Sequence, residues 1–93
     1  MTELFEWEIF VPSTGIPYAR HLEWDREILS ITKGLSLLGK VTGKWLDPNE
    51  QEESIRVSLV CSEAEIKHIA RFTKSHFKQD AILVIKRAEA FLI

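Results

Sequence analysis

The chain has 93 residues, 45% of them hydrophobic and 28% charged, with a formal net charge of −2. That length makes one domain with one modest core, and the composition is that of a folded globular protein. The near-neutral charge argues against a general polyanion binder, and the single cysteine, Cys61, excludes an internal disulfide and suits a reducing compartment.

The acidic start, with Glu3 and Glu6, has no positive region followed by an apolar run, so no signal peptide is expected. The longest apolar run, residues 81–85, is far shorter than the ~20 residues that cross a bilayer. These features predict a cytoplasmic protein without membrane contact.

Residues 4–11 predict a strand. Phe5, Trp7, Ile9 and Val11 share one face, and Glu6 and Glu8 the other. Pro12, Gly15 and Pro17 then mark a structured loop. A helix is expected from about Tyr18 or His21 to Lys33. Trp24, Ile28, Ile31 and Leu35 stack on one face, Leu22 and Leu29 widen the stripe, and Gly34 is placed as a left-handed cap.

Residues 37–61 read as the organising hairpin. In its first strand Leu37, Gly39, Val41, Gly43 and Trp45 share one face, and Lys40, Thr42 and Lys44 the other. In its second strand Ile55, Val57, Leu59 and Cys61 oppose Ser54, Arg56 and Ser58. An acidic turn, residues 47–53, joins the two strands and carries Glu50, Glu52 and Glu53.

Ser62 and Glu65 then form a capping box, which opens a helix reaching about Phe77 or Lys78. Ile66, Ile69, Ala70, Thr73 and Phe77 make its inner face. Lys67, Arg71, Lys74 and Lys78 make a basic outer stripe. Residues 81–85 are apolar on both faces, as in a central or doubly covered strand. Lys86, Arg87 and Glu89 interrupt that pattern, which implies either a bulge or an exit from the sheet.

The order strand, helix, strand, strand, helix, strand is the ferredoxin-like βαββαβ pattern of the α+β class. It predicts a four-stranded antiparallel sheet with both helices on one face, over a single domain spanning residues 1–93. The first and third strands are expected to pair in parallel at the centre, flanked by the fourth and second. Glu6 and Glu8 should then lie near Arg56.

This element order resembles the small bacterial ferredoxin-like proteins, many of which pair sheet to sheet as dimeric α+β barrels. The stretch Phe77-Lys78-Gln79-Asp80-Ala81-Ile82-Leu83-Val84 and the strand from Gly39 to Trp45 are similar to a small uncharacterised bacterial family of that fold. The resemblance implies the fold and no activity.

Tyr18, Arg20, His21 and Asp25 form the first candidate ligand site, beside the loop with Ser13, Thr14 and Gly15. Asp25 lies one helical turn beyond His21 and could orient its imidazole for proton transfer. An exposed helix pair is the simpler reading. The three histidines, His21, His68 and His76, lack metal-ligand spacing, so no metal and no cofactor are expected. Cys61 sits on an apolar face and reads as a small buried hydrophobe.

The open sheet face should carry Glu6, Glu8, Lys40, Thr42, Lys44, Arg56 and Ser58. Its acidic residues and its lack of central aromatics argue against RNA. With Leu4, Phe10, Val60 and Phe91 among its charges, it suits a homodimer. The basic stripe suits an acidic protein partner or phosphates, although a solvated helix face is the simpler reading.

No catalytic constellation is evident, so the sequence favours a homo-oligomeric protein-interaction module over an enzyme. The alternative is a small-molecule binder or enzyme of the dimeric α+β barrel type. Its pocket would lie near Tyr18, His21 and Trp24, with Trp7 or Trp45 as further apolar wall.

Overall fold

The computed structural model describes residues 3–44 and 51–93. The chain runs β1 (Leu4–Pro12), α1 (Tyr18–Leu29), β2 (Gly34–Lys44), β3 (Gln51–Cys61), α2 (Glu63–His76) and β4 (Val84–Ala90). The strands form one four-stranded sheet in the order β2-β3-β1-β4.

Every neighbouring pair of strands is antiparallel, including the central pair β1 and β3. The expected parallel pairing of first and third strands is therefore wrong. The helix α1 returns the chain to the end where β1 began. Strand β2 then runs in the same sense as β1, and the hairpin reverses that sense for β3.

Phe5, Trp7, Ile9 and Val11 of β1 stand opposite Cys61, Leu59, Val57 and Ile55 of β3. All but Ile55 are buried, and they meet Trp24 and Ile28 of α1 and Ile66 and Ile69 of α2 in one core, with Phe77. Both helices therefore cover the same face of the sheet. Trp24 ties them together, because its indole N–H donates to Thr73 Oγ1 at 2.8 Å and that hydroxyl donates to the Ile69 carbonyl at 2.7 Å.

The first helix stops at Leu29, four residues short of expectation. The Ser30 amide turns back to Glu27 and Ile28, and the Lys33 amide donates to the Val60 carbonyl at 2.9 Å. Sheet pairing thus takes over where the apolar spacing still reads as helical. Leu35 belongs to β2, and Gly34 opens that strand without a positive φ, so it is no cap. Leu22 and Leu29 are exposed.

The second helix begins on the capping box. Ser62 Oγ accepts from the Glu65 amide at 3.2 Å, and Glu65 Oε1 accepts from the Ser62 amide at 2.9 Å. After it, Lys78 takes a left-handed turn with φ 53°. Residues 81–83 precede β4, which is an edge strand and not a central one. Arg87 is the extra residue of a bulge opposite Glu6 and Trp7, so the interrupted strand stays in the sheet.

A second bulge decides the faces of the hairpin. Leu37 pairs with Val57, but Gly39 pairs with Arg56, which leaves Leu38 extra. One added residue flips every side chain beyond it. Gly39, Val41 and Gly43 consequently share the open face with Arg56, Ser54 and Glu52. Lys40 and Thr42 fall opposite Ile55 and Glu53, on the helix side, and Lys44 follows them. The expected faces of Lys40, Thr42 and Lys44 are thus reversed. Trp45 and the turn residues 47–50, Glu50 included, lie outside the described residues.

Candidate functional site

The open face is built on alternate residues of β1. Glu6, Glu8 and Phe10 stand opposite Val60, Ser58 and Arg56 of β3. Ser58 Oγ donates to Glu6 Oε2 at 3.1 Å. Glu8 is buried and lies between two arginines. Arg56 Nε is 3.9 Å from one of its carboxylate oxygens and Arg87 Nε 3.6 Å from the other. Both separations are ion pairs and longer than hydrogen bonds. Arg56 Nε is itself buried without a hydrogen-bond partner. Opposite Arg56 on β2 stands Gly39, so no side chain crowds that flank.

A cleft of about 560 Å³ opens at the end of this face that carries Phe10. Phe10, Val41, Ile82 and Leu83 give it an apolar lining, and Ser54 and Glu52 add polar groups. Its volume and mixed lining are those of small-molecule sites, which run from roughly 300 to 1,000 Å³. A second cleft of about 410 Å³ lies at the other end of β1, between Glu3, Phe5, Glu89 and Phe91.

The first predicted ligand site has a different character. Tyr18 is 75% exposed. Arg20 forms an ion pair with Glu23 at 3.7 Å. The His21 ring packs against Phe77, with centroids 5.3 Å apart. Burial lowers the His21 pKa below its usual value, against the pull of Asp25 and with help from His76. His76 donates from Nε2 to the Arg20 carbonyl at 2.9 Å and stacks on Phe72. These contacts clasp α1 to α2.

Trp24 is part of the core, as is Trp7, whose indole N–H donates to the Cys61 carbonyl at 3.0 Å. Neither cleft is lined by Tyr18, His21 or Trp24. Lys67, Arg71, Lys74 and Lys78 are all exposed along α2 and beyond its end. No group of three metal-binding side chains occurs among the described residues. Cys61 is fully buried, and desolvation, with the nearby Glu65 charge, pushes its thiol up to about 12. It has no thiolate to offer near neutral pH.

Sequence reasoning brought Glu6, Glu8, Arg56 and Ser58 together correctly as neighbours on one face. It missed Arg87, which the bulge delivers to Glu8. It also missed the part of Val41, Glu52 and Leu83 in the cleft. The charged break after Ile85 was the visible signal for Arg87; nothing in the pattern marked the slip at Leu38.

The sequence model of the S-adenosylmethionine lyase family matches residues 19–93, from the first turn of α1 to Ile93. The chain belongs to that family. The span matched to the S-adenosylmethionine lyase family includes β2, β3 and residues 79–83, three of the four segments that line the larger cleft. No curated protein sequence matches.

Among solved structures, CutA1 from Oryza sativa superposes with a TM-score of 0.71 at 11% identity, over 97% of this chain and 82% of that one. CutA from Synechococcus elongatus does so with a TM-score of 0.61 at 9% identity, over 97% of this chain and 81% of that one. At such identities the likeness is one of fold. It agrees with the ferredoxin-like architecture of this S-adenosylmethionine lyase family member.

Proposed function

We propose that the chain is a homo-oligomeric lyase acting on S-adenosylmethionine, with the larger cleft of the open sheet face as its substrate site. Family membership across the segments that build the cleft carries this reading. It favours the small-molecule alternative over the interaction module and moves the pocket away from Tyr18, His21 and Trp24. The lone cysteine suits work in a reducing cytoplasm.

The chemistry of a sulfonium fits a site without an acid–base pair. When the carbon–sulfur bond breaks, its electron pair goes to sulfur, which leaves as a neutral thioether. The substrate's own carboxylate can take the vacated carbon bond and close a lactone. One positive and one negative charge disappear, and no proton moves. Such a charge-neutralising step gains from leaving water, and an apolar lining supplies that. Phe10 and Glu52 are the groups suited to receive the sulfonium, by cation–π contact and by charge.

The test is to incubate the purified protein with S-adenosylmethionine in heavy-oxygen water. The reading expects methylthioadenosine and a four-carbon lactone, with no heavy oxygen in the hydroxyl of the homoserine that later forms. Heavy oxygen in that hydroxyl would mean a hydrolase. No thioether release at any protein concentration would remove the reading.

The exposed row Lys67, Arg71, Lys74 and Lys78 supports a second reading, docking of an acidic protein partner on α2.

A further inference from the structure

The open face carries a feature that bond breaking as described above does not use. Glu8 is buried in the sheet and is flanked by Arg56 and Arg87 at 3.9 and 3.6 Å. One carboxylate cannot satisfy two guanidinium groups, each with five N–H donors. Their side chains are 41% and 52% exposed, so the outer donors reach the surface of the open face. Glu8 thus acts as a buried anchor that holds two cationic forks in place.

Position adds to this. Arg56 pairs across the ladder with Phe10, and Ser54 stands two residues along on the same side; both line the cleft. On its other flank is Gly39, where nothing lies within 4 Å of the position a Cβ would take. Arg56 therefore does not line the cleft itself but stands next to two residues that do, with open space on its Gly39 side.

We infer that Arg56, with Arg87, binds the amino-acid carboxylate of the substrate. Glu8 is the positioning residue that fixes both. The inference rests on the proposed lyase reading and names the subsite for one end of that substrate. A guanidinium matches a carboxylate in geometry and charge, and such charge-assisted bonds are the strong ones. Arg56 holds one oxygen and leaves the other free to attack. The hold weakens as the carboxylate becomes a lactone, so it serves affinity and release of product more than bond breaking.

Binding separates the possibilities. Calorimetry would compare S-adenosylhomocysteine, an uncleavable thioether analogue, with its carboxamide, which has the same size and no negative charge. The wild-type protein is expected to prefer the acid by about 10- to 100-fold. In Arg56→Gln most of that preference should be lost while carboxamide affinity stays unchanged, and Arg56→Lys should keep more of it. Arg87→Gln leaves the Arg56–Glu8 pair intact and should lower the preference less. It serves as the second variant if Arg56→Gln does not fold by circular dichroism. In steady state, Arg56→Gln should raise KM with no matching loss of kcat. Equal weakening of acid and carboxamide, or no wild-type preference, overturns the inference while cleavage of S-adenosylmethionine leaves the lyase reading standing. Absence of both binding and cleavage overturns the two together.

Discussion

At the scale of the residue, the core contains a polar relay among its apolar side chains. Trp24 and Thr73 are both buried, and the indole N–H has the Thr73 hydroxyl as its acceptor. An indole nitrogen left without a partner costs its full desolvation. Thr73→Val keeps the shape and removes the acceptor. It should lower the unfolding free energy by about 1–3 kcal/mol. Thr73→Ser, which keeps the hydroxyl, should lose less. Urea denaturation followed by Trp fluorescence measures both, and equal losses would show that packing and not the hydrogen bond is responsible. The same scale explains why Cys61 is inert, since its thiol is enclosed on the buried side of β3.

At the scale of the element, the two bulges set the chemistry of the open face. Arg87 joins Glu8 only because β4 carries an extra residue there. Strand β2 turns over at Leu38, which brings Val41 to the cleft side and leaves Gly39 beside Arg56. Gly39 has φ +121°, a conformation that strains any L side chain even where space is free. Gly39→Ala should therefore destabilise the protein by about 1 kcal/mol or more. Gly34 has an ordinary φ and nothing within 4 Å of its would-be Cβ, so Gly34→Ala should be close to neutral. Paired thermal melts decide this. Equal melting temperatures would mean that β2 can relax its bulge.

At the scale of the whole molecule, one side of the sheet is covered by helices and the other is not. That open side carries Phe10, Val41 and Ile85 among its charges, with Leu83 at the cleft. A second copy placed there would shelter the cleft from water, which the proposed chemistry needs. Light scattering at micromolar concentration should give a mass above that of one chain. Leu83→Asp should shift it toward the monomer and reduce cleavage with it. A strict monomer that still cleaves substrate would remove the assembly from the mechanism.

The sequence by itself determined the order of elements and the core. Strict alternation in residues 5–11 and 55–61, and the capping box at Ser62 and Glu65, are local signals that tertiary packing did not need to overrule. Glu6, Glu8, Arg56 and Ser58 were legible as one face for the same reason. Tertiary structure decided where α1 ends, because Ile31 and Leu35 continue its spacing while the chain turns back at Ser30 and Lys33 then pairs with Val60 of the sheet. It alone decided which side of β2 faces the cleft. A period of two cannot register a single inserted residue until a partner strand supplies the register, and the partner here skips Leu38.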